Sequence, residues 1–127
     1  MELLEKINSL DVSDNWKSKF RTIAEAEPIS LGLIQKFKNN VVYKNASLTT
    51  KINFLAFFFG IFYYIVKGMW KKGLTLLGIG FVFILIVDVL FGDSISSAAG
   101  IGVGALFAAY ANIDYYRKMV LGEDFWF

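Results

Sequence analysis

The sequence has no cysteine and no histidine. Without cysteine there is no disulfide, no thiolate nucleophile and no thiolate-bound metal. Without histidine the commonest general base near neutral pH and the commonest metal ligand are both missing. Serine–histidine, cysteine–histidine and histidine-bound zinc chemistry are therefore excluded. Catalysis would have to rest on carboxylates, lysine and tyrosine. Charge is scarce as well: 19% of residues are charged, against about 25% in a typical soluble domain. The 13 basic and 11 acidic residues leave a net charge of +2, too weak a field to suggest nucleic-acid binding. The first residues, Met1-Glu2-Leu3-Leu4-Glu5-Lys6, lack a basic stretch followed by an apolar one, so no cleavable signal peptide is expected.

Apolar side chains fill the space that charge leaves. They make up 56% of the 127 residues, and the mean hydropathy is +0.52. One domain fits this length. The composition excludes a disordered chain and argues against a simple water-soluble globule.

Composition changes sharply near residue 52. Residues 1–51 carry eight basic and six acidic residues, with apolar positions spaced as on amphipathic helices. Ser13 can cap a helix over roughly 14–26, where Trp16, Phe20 and Ile23 recur at i, i+4 and i+7. Pro28 ends it, and Leu33, Ile34 and Phe37 predict a shorter helix ending near Asn39-Asn40. Leu3, Leu4, Ile7 and Leu10 suit another helix over the first ten residues. About fifty residues make a meagre core alone. This region is expected to lean on the remainder of the chain, on a second copy or on a partner.

Three apolar stretches follow: Ile52–Val66, Leu74–Phe91 and Ile95 to about Tyr116. As helices they would be roughly 22, 27 and 33 Å long, against a bilayer core of about 30 Å. The second and third can span, and the first is short. Lys51 precedes the first stretch, and Lys67, Lys71 and Lys72 follow it. Basic residues on both flanks keep both ends in the cytoplasm, so this stretch is read as re-entrant or interfacial. Gly92-Asp93-Ser94 has no basic residue, as an outside turn should, and the third stretch returns to Arg117-Lys118. Three full spans with residues 1–51 outside is the alternative, and it would put eight basic residues on the wrong side. Of the 22 aromatics, eight fall within 54–70 and six within 110–127. These clusters suit either a cytoplasmic interface or a ring-packed core.

Several motifs have two readings. Gly100, Gly104, Ala108 and Asn112 share one helix face as a stripe of small residues. Such a stripe serves either a seam between copies or packing on residues 74–91, with Gly78 as the facing small residue. Gly100-Ile101-Gly102-Val103-Gly104 superficially suggests a phosphate loop but lacks the following lysine. Asp88 is an ionisable residue inside an apolar run, so it serves either the outer interface, with Ser96 and Ser97 as donors, or an ion or proton path. Asn112 and Asp114 mark the inner boundary and lie within reach of bonding the Lys67–Lys72 loop. That loop is a topology signal and could also touch anionic headgroups. Asn45-Ala46-Ser47 fits a glycosylation pattern that a cytoplasmic position makes irrelevant.

Three runs then carry a resemblance. They are Ile52-Asn53-Phe54-Leu55-Ala56-Phe57-Phe58-Phe59-Gly60 with Gly68-Met69-Trp70-Lys71-Lys72-Gly73-Leu74-Thr75, Ala111-Asn112-Ile113-Asp114-Tyr115-Tyr116 through Gly122-Glu123-Asp124-Phe125-Trp126, and Asp14-Asn15-Trp16-Lys17. Together they resemble a family of small bacterial inner-membrane proteins of unknown function, the YigF-like proteins. Trp126-Phe127 stands where that family's ending would be of an Asn-Pro-Phe type. The resemblance implies an inner-membrane location. It implies no activity and no catalytic or ligand-binding residue.

The expected fold is an all-α membrane protein with two transmembrane helices, a short re-entrant aromatic segment and an N-terminal cytoplasmic helical region. Its parts are a cytoplasmic amphipathic region at 1–51, a re-entrant aromatic segment with a basic loop at 52–73, a transmembrane hairpin at 74–116 and a cytoplasmic tail at 117–127. Both termini are expected in the cytoplasm. No cofactor, metal site, nucleic-acid partner or enzymatic activity is expected, since no acid–base pair or nucleophile constellation is visible. The expected partners are the lipid bilayer, a second copy, and a protein bound through residues 1–51 at the Trp16-Phe20-Ile23 face. The leading function is a membrane-anchored interaction or regulatory module. The alternatives are a small-ion or solute conductor, motivated by Asp88, and an immunity-type protein against a membrane-active toxin.

Overall fold

The computed structural model describes residues 2–92 and 96–127. Asp93 and Ser94 of the expected outer turn, and Ile95 at the start of the third stretch, lie outside the described residues. The chain is mostly helical. Helix α1 covers Glu2–Ser9 and α2 covers Asp14–Glu25, a short hairpin of β1 (Pro28–Leu31) and β2 (Gln35–Phe37) follows, and then come α3 (Asn40–Lys44) and α4 (Leu48–Lys51). The apolar part holds α5 (Phe54–Phe59), α6 (Ile61–Val66), α7 (Trp70–Phe91) and α8 (Ser96–Met119).

Helix α2 begins where its cap requires. The Ser13 hydroxyl accepts from the Trp16 amide at 3.3 Å, which satisfies one of the unpaired donors of the first turn. The helix expected over Leu33, Ile34 and Phe37 is instead the antiparallel β1–β2 hairpin. Its physical cause is local. The residue before a proline is pushed away from the helical region, and Glu27, before Pro28, has φ +53. The backbone then folds back on itself, with Lys38 N donating to Glu27 O at 2.8 Å and Asn39 N to Ala26 O at 2.9 Å. The Ser30 hydroxyl closes the turn on the Ile34 carbonyl at 2.8 Å.

The first apolar stretch is broken. Gly60 separates α5 from α6 with φ 51 and ψ −119, a backbone state that suits glycine because a Cβ would strain it. Two six-residue helices result, neither long enough to cross a bilayer. Among the described residues one helix, α7, is long and apolar enough to cross a membrane. Of the expected pair of such helices, one is found among the described residues. Helix α8 is as long, at 24 residues, but it is rich in glycine, alanine and serine and carries Asn112, Asp114, Arg117 and Lys118. It runs back along α7. Lys72 in the first turn of α7 meets Asp114 near the end of α8, and a Cβ added at Gly80 would sit 2.8 Å from Val103 Cγ1.

Among the described residues, 2–51 build no separate core. Ile7, Phe20, Ile23 and Leu31 join Ala56, Tyr63, Tyr64, Tyr116 and Val120 in one buried cluster. Residues 2–51 therefore fold onto the last turns of α8.

Candidate functional site

The best-formed polar arrangement lies where α6, α7 and α8 meet. The Lys72 ammonium donates to Asp114 Oδ1 at 2.9 Å, and both side chains are 0% exposed. The Tyr64 hydroxyl donates to Asp114 Oδ2 at 2.6 Å. Arg117, three residues on and hence on the same helix face, stands 3.6 Å from Asp114 Oδ1. One carboxylate thus faces two cations. Aromatic faces supply part of the remaining compensation: the Lys72 ammonium lies 4.8 Å from the Tyr110 ring centroid, and the Arg117 guanidinium lies 3.7 Å from that of Phe125. Arg117 also donates to the backbone carbonyls of Leu31 at 3.0 Å and Phe127 at 2.6 Å, and to Glu123 Oε1 at 3.2 Å. Hairpin, helices and tail are tied to one buried centre. Buried charge tolerates no less, because unpaired it would carry a large desolvation cost.

A second cluster, of amides, sits beside it. Asn53 caps α5, its Oδ1 accepting from the Ala56 amide at 2.9 Å. Its Nδ2 donates to the Tyr63 hydroxyl at 2.7 Å and to Asn112 Oδ1 at 3.0 Å. Asn112 Nδ2 in turn donates to the carbonyls of Thr49 and Thr50 at 2.8 and 2.9 Å. These are carbonyls at the end of α4 that no intrahelical donor reaches. Asn112, 0% exposed, thereby joins three elements.

The small-residue stripe divides along its length. Asn112 and Ala108 are buried, and the Asn53 amide donates to the Ala108 carbonyl at 3.0 Å. A Cβ on Gly104 would stand 3.0 Å from the Phe57 carbonyl oxygen. These three positions pack on α5, whereas Gly100 faces open space, as does Gly78. The α7–α8 seam runs through Gly80 and Val103 instead.

Trp16, Phe20 and Ile23 face inward. Phe20 and Ile23 are 0% exposed. The Trp16 ring meets Tyr115 at 4.7 Å between centroids, and Phe20 meets Tyr116 at 5.9 Å. The face expected to receive a partner is covered by the chain's own α8. Asp88 is half-buried in α7, and its Oδ1 is shielded without a hydrogen-bond partner among the described residues.

The sequence reading that Asp114 could bond the Lys67–Lys72 loop is met by Lys72, whereas Tyr64, Asn53 and Arg117 were not singled out as site residues. Their available signal was weak: an acid and a base at i, i+3 in Asp114 and Arg117, and a lysine cluster already explained by topology. A further grouping surrounds Trp16. The Lys19 ammonium lies 4.6 Å from the Trp16 ring centroid, and the Lys67 ammonium lies 5.5 Å from the same ring. Burial, and secondly the charge of Lys67, hold Lys19 below the ordinary lysine range.

Comparison with known proteins places these residues in a wider set. The family model described as Protein of unknown function (DUF2628) matches residues 16–120, which include every residue of the two polar clusters except Glu123, Phe125 and Phe127. Uncharacterized protein YigF of Escherichia coli (strain K12) is 32% identical over 125 residues, covering 96% of each chain. Uncharacterized protein YigF of Salmonella typhimurium (strain LT2) is 33% identical over 132 residues, covering 94% of each. No solved structure matches.

Proposed function

The chain belongs to this family of proteins of unknown function, and we propose that it is an integral protein of the bacterial inner membrane that holds a folded cytoplasmic cap against the bilayer as an interaction or regulatory module. The observation that carries this reading is α7. Its 22 residues have an apolar window of which 11% is buried. Phe81, Val89 and Leu90 are among its side chains more than 60% exposed. The core helix of a water-soluble protein hides such a surface, because exposing each large apolar side chain forgoes about 1.5–3 kcal/mol. In hydrocarbon the same surface carries no such penalty.

In this reading α8 is the returning span. Lys67, Lys71 and Lys72 at the start of α7 and Arg117 and Lys118 at the end of α8 share one end of the pair, the cytoplasmic one. Helices α5 and α6, broken at Gly60, form the re-entrant segment, and residues 2–51 with the tail form the cap. Since Phe20 and Ile23 are used internally, a partner would instead meet an exposed apolar surface such as the β1–β2 hairpin, where Ile29 and Ile34 are 70% and 68% exposed. The reading includes no catalysis. Lys72 and Asp114 are sealed from solvent and committed to each other.

Reporter fusions after residues 69, 92 and 127 test the topology: cytoplasmic signals at 69 and 127 and a periplasmic signal at 92 are expected. Purified protein that stays monodisperse without detergent would refute the membrane reading. Crosslinking in native membranes tests the cap. A partner adduct lost in Ile29→Ser/Ile34→Ser is expected, and an unchanged adduct pattern counts against the hairpin. A conductor is favoured by one observation, the Asp88 oxygen that has no hydrogen-bond partner among the described residues. Liposome flux that Asp88→Asn abolishes would establish it over the interaction module.

A further inference from the structure

Two lysines meet at one tryptophan. Lys19 comes from the middle of α2 and Lys67 from the end of α6, 48 residues apart in sequence. Both ammonium groups stand over the Trp16 ring, and Lys67 also lies 4.8 Å from the Tyr115 centroid and 5.7 Å from that of Tyr63. The ion pairs among the described residues engage Lys71, Lys72 and Arg117, and neither Lys19 nor Lys67. Two like charges brought together on an aromatic floor repel each other, and an anion between them would relieve that repulsion.

The space beside them is open. Both lysines line a recess of about 280 Å³ with Trp16, Asn53, Leu55 and Tyr63. Lys67, Leu55 and Tyr63 also line an adjoining groove of about 360 Å³ whose other walls are Phe59, Phe62 and Val66. The recess is cationic and the groove is apolar. Phe62 and Val66 are 68% and 82% exposed, so the groove opens sideways, toward hydrocarbon if the membrane reading holds.

We propose that the recess and groove together seat one anionic phospholipid, its phosphate between Lys19 and Lys67 and an acyl chain along Leu55, Phe62 and Val66. A free phosphate would use the recess and leave the groove empty, whereas a neutral lipid would use the groove and leave the lysines unpaired. An anionic lipid satisfies both. Helix α2 would then be held to the bilayer by a lipid it shares with α6, which fixes the cap through a component of the membrane.

This proposal rests on the membrane reading, and vesicle flotation separates the two. Protein that floats with neither phosphatidylglycerol nor phosphatidylcholine vesicles refutes the membrane reading. Protein that floats with both leaves that reading intact and puts the lipid seat to its own test. For that test, full-length protein stripped of lipid in a neutral detergent is titrated with each lipid and its adducts are counted by native mass spectrometry. One phosphatidylglycerol should bind with a preference of about tenfold or more over phosphatidylcholine. Lys19→Gln/Lys67→Gln should abolish the preference, Lys19→Arg/Lys67→Arg should retain it, and Lys71→Gln should leave it unchanged. Equal uptake of the two lipids, or a preference that survives the double glutamine variant, overturns the proposal. Should that variant fail to fold, the native protein decides. Its preference must fall in about 1 M salt, where screening acts within about 3 Å, and a salt-insensitive preference overturns the proposal. Displacement of the lipid by millimolar inorganic phosphate would assign the recess to a free anion and overturn it equally.

Discussion

The two partners of the central ion pair should be unequal. Lys72 is 2.9 Å and Arg117 is 3.6 Å from the same Asp114 oxygen. At an effective dielectric constant of about 20 these separations correspond to gross attractions of about 6 and about 5 kcal/mol. Lys72→Met removes the first and leaves Asp114 with Arg117 and the Tyr64 hydroxyl. Asp114→Asn removes both, leaving the Lys72 ammonium with aromatic faces and Arg117 with Glu123, the Phe125 ring and two backbone carbonyls. Breaking a buried pair costs roughly 3–5 kcal/mol after desolvation is counted. Lys72→Met should lie near the lower end of that range and Asp114→Asn near the upper. The double variant should be more stable than Asp114→Asn alone, because Lys72→Met removes the charge that Asp114→Asn strands, and the coupling should fall in the range of about 0.5–3 kcal/mol. Isothermal unfolding of micellar protein by a denaturing detergent, followed by far-ultraviolet circular dichroism, gives the four free energies. A Lys72→Met cost equal to or above that of Asp114→Asn, or strictly additive costs, would refute the argument.

The same unfolding assay checks five further substitutions. Asn112→Ala should cost about 2–3 kcal/mol, since it strands the Asn53 amide and the Thr49 and Thr50 carbonyls together. Gly80→Ala should cost about 1–3 kcal/mol through its contact with Val103, while Gly78→Ala, with nothing within 4 Å, should cost nothing measurable. Gly60→Ala should lose about 1–3 kcal/mol, because alanine strains at φ 51. Phe20→Ala should lose about 3–5 kcal/mol of global stability as a core truncation; unchanged stability would return Phe20 to the role of a partner contact.

Local signals sufficed wherever the answer was local. The Ser13 cap and the i, i+4, i+7 spacing of Trp16, Phe20 and Ile23 placed α2 almost to the residue, and an uninterrupted apolar run placed the end of α7 at Phe91 but not its start, which lies at Trp70, four residues before Leu74. Both rest on contacts within one helix or on the helix's own composition. The hairpin at 28–37 was misread because Leu33, Ile34 and Phe37 have spacing that suits a helix. What decides against it is the pairing of Lys38 and Asn39 with Glu27 and Ala26, a closure that hydrophobic spacing does not encode. The amphipathic face of α2 announced that something must cover it, but it carried no information about what. Tyr115 and Tyr116, the cover, are a hundred residues away on a helix whose glycine and alanine drew attention to its other end.

The basic cluster at 67–72 shows why the site was harder to read than the fold. As a sequence signal its three lysines are interchangeable, since each adds one positive charge to the same loop and topology depends on their sum. In the fold they part company. Lys67 ends α6 and turns to the Trp16 recess. Lys71 and Lys72 are adjacent in the first turn of α7, where neighbouring side chains diverge by about 100°. That divergence sends Lys71 to Asp124 on the tail and Lys72 inward to Asp114. A rule that counts charges is blind to this division. The roles of the three are set by which acid or ring each direction meets, and those partners come from residues 16, 114 and 124. Exchanging any one lysine for glutamine would shift the loop's charge equally, yet the expected losses differ in kind: lipid preference for Lys67, tail attachment for Lys71 and global stability for Lys72.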